Sequence, residues 1–388
     1  MDVASQELEQ LLAESLAAAR DRAAEVFVSG DDKLVLYGAG QLGREVAEKL
    51  RGVGLEAAAF ADDTPEKQGQ VIAGLPVLNP LEAASRFGDA TLFVVTILNV
   101  KLGFLEARRR LKTITGKRVI SFFKIAWNYP EVFLPHYQFE LPENVLAQAA
   151  QIREAFRLFV DDESKRQYVG HLKFRLHLDY AALPERSDDG YFPSDIISPL
   201  PENTVYVDCG AFDGDTVRRF LARQQNRFRK IYAFEPDEIN YRRLQTYIER
   251  LGEGTSSRVT VYHAGVGEVR KKLSFAATGN MSSSFSGAGS YQVDVLPLQE
   301  IVKSNGAPIF LKFDVEGDER AALKGAERLL METRPVLAIS AYHRPNDLWE
   351  LPLYLDSLNL GYRFFLRTHG EDGMDAVCYA LPPQPTTS

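Results

Sequence analysis

Two series of short apolar runs, separated by amphipathic stretches, account for most of the chain. In the first series the stretch QLGREVAEKLRGVG has apolar residues at helical spacing and is stopped by Gly52 and Gly54. The apolar runs around it predict strands at KLVLYGAG, LEAAAFADD, LPVL, ATLFVVTI and RVISFF. Strands that alternate with helices indicate a parallel sheet with helices on both faces.

The second series begins at Thr204. Helical spacing predicts helices near residues 216–224, 238–251, 318–332 and 347–359. The predicted strands are TVYVDCGA, KIYAFEP, VTVYHAGVG, PIFLKFDVE, PVLAISAYH, YRFFLRTH and AVCYAL, with KLSFA as an additional candidate. These runs predict a seven-stranded, doubly wound α/β sheet that ends in a hairpin-like pair.

Proline-rich segments separate the two series. WNYPEVFLPHYQFELP contains three prolines and no clear periodicity, and ALPERSDDGYFPSDIISPLP is also loop-like. We therefore predict an N-terminal amphipathic helix at 1–30, a smaller Rossmann-like nucleotide-binding-type domain at 31–126, a linker and helical segment at 127–200, and the larger α/β domain at 201–388.

The predicted N-terminal helix carries one apolar stripe. Its leucines recur at helical spacing, at Leu8, Leu11, Leu12 and Leu16. We expect this face to dock on the following domain or on a second subunit, so a homodimer is one expectation.

Composition and charge narrow the classes of function. The 388 residues are 45% hydrophobic and 25% charged, which is typical of a globular protein. A net charge of −8 argues against nucleic-acid and anionic-membrane partners. The two cysteines, Cys209 and Cys378, lie far apart, which fits a reducing compartment and no cysteine-based zinc site. The acidic N-terminus and the absence of a long apolar run predict a cytoplasmic protein.

The first glycine loop, YGAGQLG, has the G-x-G-x-x-G pattern of a dinucleotide site. Gly38, Gly40 and Gly43 would let the backbone approach a pyrophosphate, and Asp62 could hold a ribose diol. A tight strand–helix turn that binds nothing is equally consistent with the pattern. An NAD(P)-dependent sugar-nucleotide oxidoreductase remains an alternative function, although no Tyr-x-x-x-Lys pair occurs to donate a proton.

The second glycine loop is acidic. Asp208, Gly210 and Gly214 form D-x-G-x-x-x-G at the end of a predicted strand. S-adenosylmethionine carries an α-ammonium and a sulfonium but no phosphate, so this loop suits it and would repel a polyphosphate. Gly210 permits close backbone contact with the methionyl part. Glu235, at the end of the next strand, can accept both ribose hydroxyls.

Two further pairs of residues belong to this region, one predicted to bind the cofactor and the other to stabilise a helix. Gly265 and Val266 lie at the end of the third predicted strand, where they would flank the adenine. Asp213 and Asp215 fit capping of the following helix better than ligand binding.

Four stretches of the second series resemble the FkbM-type family of S-adenosylmethionine-dependent methyltransferases. They are VYVDCGAFDGDTVRRF, YAFEPDEINYRRL, LKFDVEGDERAALKGAERLL and PVLAISAYHRPNDLWELP. The resemblance covers roughly Tyr191 to Leu381 and implies a class I methyltransferase sheet and transfer of a methyl group to a hydroxyl. The implied acceptor is a small molecule: a sugar, a sugar nucleotide or a glycosylated natural product. The first series looks more loosely like sugar-nucleotide-binding domains, through LVLYGAGQLGREVAEKL and GQVIAGLPVLNP.

The predicted chemistry lies beyond the fourth and fifth strands of the second series, because ligands of such sheets bind at the carboxyl ends of strands. Asp314 and His343 are the candidate catalytic residues, with His343 as general base near its ordinary pKa of about 6.5. Alternatively, Asp314 and Glu316, together with His343, could bind a divalent cation that acidifies the hydroxyl. Asp314 and Glu316 could instead cap the next helix, and Lys312 must pair with an acid if it is buried.

Two segments could close over the acceptor, namely Tyr191–Phe192 and the serine-rich loop at 279–290. A surface linker and a flexible hairpin are the competing interpretations. The preferred hypothesis is an O-methyltransferase that acts on a saccharide. A protein that binds a nucleotide without turnover is the third alternative.

Overall fold

The computed structural model describes residues 2–98, 102–275 and 291–383. The serine-rich loop at 279–290, which we considered as a lid, lies outside these ranges. Within them, no helix has the length and hydropathy that a membrane span requires.

The first series of apolar runs forms one sheet. Its strands are β1 (Lys33–Tyr37), β2 (Ala57–Ala61), β3 (Val71–Ile72), β4 (Leu75–Leu78), β5 (Thr91–Val95) and β6 (Arg118–Ser121). Over the described residues the strand order is β3-β4-β2-β1-β5-β6, parallel except for the short β3–β4 pair. The helices up to this point are α1 (Val3–Leu12), α2 (Leu16–Ala23), α3 (Gln41–Gly52), α4 (Pro80–Phe87) and α5 (Phe104–Thr115). β5 is buried along its whole length, as expected for a strand covered on both faces.

Helices connect this sheet to the second one. They are α6 (Phe122–Asn128), α7 (Pro130–Phe133), α8 (Pro142–Leu146), α9 (Ala149–Leu158) and α10 (Asp162–His177). Asp161 caps α10 by accepting a hydrogen bond from the Ser164 amide at 2.9 Å. The predicted helical stretch is therefore interrupted, because such capped starts begin new helices.

The second series supplies the larger sheet and a small one. Its strands are β7 (Val205–Cys209), β8 (Lys230–Phe234), β9 (Val259–Tyr262), β10 (Ala264–Val266), β11 (Lys271–Phe275), β12 (Tyr291–Leu296), β13 (Ile309–Phe313), β14 (Val336–Ser340), β15 (Arg363–Thr368) and β16 (Ala376–Leu381). Its helices are α11 (Asp215–Arg223), α12 (Glu238–Glu249), α13 (Glu253–Ser256), α14 (Leu298–Ile301), α15 (Glu319–Lys324), α16 (Glu327–Thr333) and α17 (Asp347–Ser357). Short 3₁₀ turns lie at Gly88–Ala90, Tyr180–Ala182 and Glu371–Gly373.

The order of the larger sheet is β15-β16-β14-β13-β7-β8-β9 in the described part of the chain. All pairs are parallel except those of β16, which runs antiparallel to β14 and β15. β7 and β13 lie side by side at its centre, and the chain crosses over between β7 and β13, so a crevice opens beyond their carboxyl ends. The predicted fold class, a class I methyltransferase sheet with a smaller parallel α/β sheet before it, is confirmed.

Three elements differ from the sequence-based expectation. β12 was not expected; it lies between β10 and β11 in the small sheet and pairs with both. The helix predicted at 318–332 is two helices that meet near Gly325. A Cβ at Gly325 would lie 1.9 Å from the Gly267 carbonyl oxygen. The two backbones therefore approach too closely for any residue except glycine at this position.

The N-terminal leucine stripe packs inside the molecule. Leu8 and Leu12 belong to the core that includes β7, β13 and the helices before them. Glu9 pairs with Arg153 at 3.0 Å, which ties α1 to α9. Leu16 is 47% exposed, because α1 ends at Leu12 and Ser15 caps a separate α2. The stripe is therefore shorter than we predicted.

Candidate active site

The loops that follow β7 and β13 touch at the mouth of the crevice. Gly210 has φ +81°, and a Cβ there would lie 1.9 Å from the Asp314 carbonyl oxygen. This position therefore requires glycine for two reasons, its left-handed conformation and the approaching backbone. The D-x-G-x-x-x-G pattern predicted a close approach of the methionyl part of the cofactor at Gly210. The group that approaches Gly210 in the structure is the backbone of Asp314.

Asp208 lies below the crevice, inside the sheet. It is directly opposite Lys312 in the β7–β13 pairing and is fully buried. One carboxylate oxygen faces the Lys312 ammonium at 3.1 Å, and the other accepts hydrogen bonds from the hydroxyls of Thr216 and Tyr206. This geometry leaves Asp208 no surface for the direct cofactor contact that the sequence predicted. Its carboxylate holds internal partners instead.

Lys312 joins several parts of the site. Its ammonium donates to the Gly210 carbonyl, lies 3.5 Å from Asp314 Oδ2 and sits 5.1 Å from the centre of the Tyr191 ring. Burial opposes the charge, but Asp208 and Asp314 outweigh it and raise the pKa of Lys312. The side chain therefore stays an ammonium, paired with acids as a buried lysine must be.

Glu235 is the acid that a cofactor ribose could reach. It follows β8, is 5% exposed, and accepts backbone hydrogen bonds from Phe212 and Asp237, both at 2.8 Å. Each carboxylate oxygen has further lone pairs to accept a ribose hydroxyl. Burial raises the pKa of Glu235 to about 7, although the two amides favour its ionised form. The residues present thus fit an adenosyl group.

Gly214 and the nearby aspartates serve the helix after the loop. Gly214 precedes α11, and a Cβ there would lie 2.8 Å from Leu244 Cδ1. Asp213 pairs with Arg218 at 2.6 Å, and Asp215 is in the first turn of α11. These contacts favour packing and helix stabilisation for all three, including Gly214, which we had placed in the cofactor site.

Gly265 and Val266 are placed differently from the prediction. The third strand of the larger sheet ends at Tyr262, and these two residues form part of β10 in the small sheet, where they are buried. They pair with Val295 and Leu296. Their predicted contact with an adenine stays a prediction.

A histidine–carboxylate pair lies beyond β13 and β14. His343 Nδ1 donates to Glu319 Oε1 at 2.7 Å, so the carboxylate fixes the ring orientation. The other nitrogen, Nε2, has no hydrogen-bond partner among the described residues and faces two acids. It lies 3.5 Å from Asp314 Oδ1 and 3.8 Å from Glu316 Oε2. The structure thus brings the predicted trio together and adds Glu319.

Electrostatics change the protonation state expected for His343. Burial opposes its charge, but Glu319, Glu316 and Asp314 raise its pKa to about 10, so the ordinary value used in the sequence argument does not apply. Burial raises the pKa of Glu316 to about 8 despite His343. Burial acts in the same direction on Asp314, but Lys312 and His343 prevail and lower its pKa.

Helix capping does not account for this cluster. Asp314 accepts from the Ser340 hydroxyl at 2.8 Å, and the residue before α15, Asp318, makes no side-chain cap. Glu316 has φ +54°, an unusual conformation for a non-glycine residue and one found at functional sites. In the described ranges, no group of three or more His, Cys, Asp and Glu side chains is arranged to hold a metal ion.

The walls of the crevice come from distant parts of the chain. The Tyr191 hydroxyl lies 3.1 Å from Ser340 Oγ, whereas Phe192 is buried in the core and does not form a lid. From the connecting segment, the Tyr137 ring is centred 6.3 Å from the His343 ring. Tyr137 also packs with Tyr342. Its place here could not be read from its sequence neighbours.

The first glycine loop is a tight turn with internal contacts. A Cβ at Gly43 would lie 2.0 Å from the Gly38 carbonyl oxygen, whereas Gly40 faces open space. The Asp62 carboxylate accepts hydrogen bonds from the Ala39 amide, the Thr64 amide and the Lys67 ammonium, each at 2.9 Å. Asp62 therefore holds the turn together, and its predicted contact with a ribose stays a prediction.

Comparisons with known proteins agree with the fold. Residues 208–364 match the model of the methyltransferase FkbM domain. The crystal structure of methyltransferase FkbM from Methylobacillus flagellatus KT superposes with a TM-score of 0.76 at 24% identity, over 95% of this chain and 99% of that one. This likeness supports the fold of both sheets.

Other comparisons add little. A putative methyltransferase from Streptococcus mutans, solved in complex with SAH, has a TM-score of 0.31 at 12% identity, over 47% of this chain and 91% of that one. Comparison with curated proteins gives no match. The domain match, together with the sheet order that surrounds the acidic glycine loop, identifies residues 208–364 as a methyltransferase FkbM domain.

Proposed function

We propose that the protein transfers a methyl group from S-adenosylmethionine to a hydroxyl oxygen of a sugar or sugar nucleotide. The observation that carries this proposal is the Glu319–His343 pair, which directs Nε2 toward the turn that touches the glycine loop. A base beside a donor loop is the arrangement that methyl transfer to an alcohol requires.

The donor would lie across the ends of β7 and β8. Glu235 would accept the ribose hydroxyls, and the backbone after Gly210 would line the methionyl part. When bound, S-adenosylmethionine supplies an electrophilic methyl group on a positively charged sulfur. The nearby Asp314 carboxylate, whose pKa is lowered by Lys312 and His343 despite burial, favours this charge.

His343 would accept the proton of the attacking hydroxyl. The acceptor oxygen would bond to the methyl carbon as the carbon–sulfur bond breaks, and Nε2 would take the hydroxyl proton. Glu319 keeps the other proton on Nδ1 throughout. The acids hold His343 protonated at rest. The sulfonium of S-adenosylmethionine, bound beside Asp314, would lower the pKa of His343 and so prepare the imidazole as the base.

The acceptor side favours a molecule with several hydroxyls. Glu316 and Asp314 offer carboxylate oxygens that accept hydrogen bonds, and the partly buried Tyr137 ring lies beside His343. Sugars present both hydroxyl donors and apolar ring faces. This match supports a saccharide over a purely apolar acceptor.

Calorimetric titration tests the donor site without knowledge of the acceptor. We expect S-adenosylmethionine and S-adenosylhomocysteine to bind the wild type, and Glu235→Gln to bind both roughly 10-fold to 100-fold more weakly, since charge-assisted hydrogen bonds contribute about 1.5–3 kcal/mol. Glu249→Gln, on the exposed end of α12, is the control and should bind as the wild type does. Heat with NADH but none with the sulfur compounds would reject the proposal.

A further inference from the structure

The most unusual side chain near the crevice is a lysine at the centre of an apolar strand. Lys312 is 1% exposed, and its neighbours in β13, Leu311 and Phe313, are fully buried. β13 lies between β7 and β14, where Lys312 is opposite Asp208 in β7 and opposite Ala338 in β14. A buried charge of this kind rarely increases stability over a well-packed apolar residue, so its presence calls for another role.

The three protons of the ammonium match three oxygen atoms. These are Asp208 Oδ1 at 3.1 Å, Asp314 Oδ2 at 3.5 Å and the carbonyl oxygen of Gly210. Each oxygen belongs to a different part of the site: the end of β7, the turn after β13 and the glycine loop. The Tyr191 ring covers the ammonium at 5.1 Å.

The contacts of Asp314 extend this connection to the acceptor side. Its Oδ2 faces Lys312, whereas Oδ1 accepts from Ser340 and lies 3.5 Å from His343 Nε2. The carboxylate is thus held between the two cations. A displaced Lys312 would release both the glycine loop and the carboxylate that faces the base.

We propose that Lys312 is a positioning residue that holds the glycine loop and Asp314 at a fixed distance from each other. The methyl donor and the acceptor oxygen would then meet at the distance that transfer requires. This inference rests on the proposed methyl transfer. A merely structural role would be different: the ammonium would only neutralise Asp208, and the loop would keep its shape without it.

A double variant separates the two roles. Lys312→Met alone leaves the Asp208 charge buried and unpaired, so we expect a large fall in melting temperature. Lys312→Met combined with Asp208→Asn removes both charges and should recover most of that loss. Lys124→Met is the control. Lys124 is a partly buried lysine whose ammonium lies over the rings of Phe27 and Trp127 and not beside the glycine loop.

The deciding measurement is the dissociation constant of S-adenosylhomocysteine, determined by calorimetry on folded samples, with melting curves for every variant. We expect the double variant to bind about tenfold more weakly than the wild type, or worse, because a small displacement of a positioned group is costly. The Lys124→Met variant should bind as the wild type does.

Two results would overturn the inference while leaving the proposed function intact. One is a double variant that binds within about twofold of the wild type, and the other is a double variant that recovers no stability relative to Lys312→Met. A wild type that binds no S-adenosylhomocysteine would instead remove the proposed function, and the inference with it.

Discussion

Five acids near the crevice have different roles because their surroundings differ. Asp208 is an internal partner of Lys312, Glu235 is held by two amides, and Glu319 orients His343. Asp314 lies between two cations, and Glu316 is partly buried, which raises its pKa. Sequence alone placed most of them in the site, but it could not assign these roles.

The pH dependence of methyl transfer tests the role of His343. Its pKa of about 10 means that the proton leaves as the pH rises toward that value, so kcat/KM should increase with pH across the neutral range. Glu319→Gln removes one carboxylate, so the rise should occur at lower pH. The maximal rate should fall roughly 100-fold, within the usual contribution of a general base.

The pH profile of kcat/KM is measured with labelled S-adenosylmethionine and the best acceptor found in a panel of sugars. His263→Asn is the matched control, because His263 is exposed and stacks on Tyr241 at 4.8 Å, beyond the end of β9. Its profile should equal that of the wild type. An unchanged profile in His343→Asn would show that another group accepts the proton.

What the sequence could predict at the residue level depended on local signals. The acids and His343 follow apolar strands, which placed them at one edge of the sheet. Glu319 gave no such signal, since it resembles any acid in a first helical turn. The burial of Asp208 and the three partners of Lys312 depend on the pairing of β7 with β13, which no local pattern encodes.

At the scale of elements, the loop after β7 depends on one glycine. An alanine at Gly210 would need φ +81° and would place its methyl group 1.9 Å from the Asp314 carbonyl oxygen. We expect Gly210→Ala to lower the melting temperature by at least about 3 °C, since the left-handed conformation alone costs about 1–2 kcal/mol. It should also weaken S-adenosylhomocysteine binding, because the loop must move away from Asp314.

Gly254→Ala is the control for this prediction. Gly254 lies in α13, and a Cβ there meets no atom within 4 Å. Thermal melting and calorimetry on the two variants give the comparison. Equal melting temperatures and affinities would contradict the structural account of the loop.

Element prediction succeeded where hydrophobic pattern and length agreed. All seven strands of the larger sheet were expected, because continuous apolar runs bounded by turn residues mark buried strands. β12 was missed although YQVDVL alternates as a half-buried strand does, because it directly follows the serine-rich loop. The break between α15 and α16 arises from the Gly267 carbonyl oxygen against Gly325, a contact between distant segments.

At the scale of the whole molecule, the two sheets are connected by specific contacts. The Asp372 carboxylate, from the turn between β15 and β16, accepts from the amide of Phe104 at the start of α5 at 2.9 Å and 3.0 Å. Leu98, just after β5, and Tyr137 both pack against the cluster of Tyr342, Met374 and Ala376 beside the site. The smaller sheet therefore contributes to the wall of the crevice on the side that we assign to the acceptor.

The most direct test of the central claim is the position of the transferred methyl group. Wild-type protein is incubated with methyl-labelled S-adenosylmethionine and a panel of free sugars and sugar nucleotides, and the products are resolved by NMR. The account predicts an O-methyl ether in at least one product, absent with His343→Asn. Label on carbon or nitrogen, or no transfer to any hydroxyl of the panel, would contradict it.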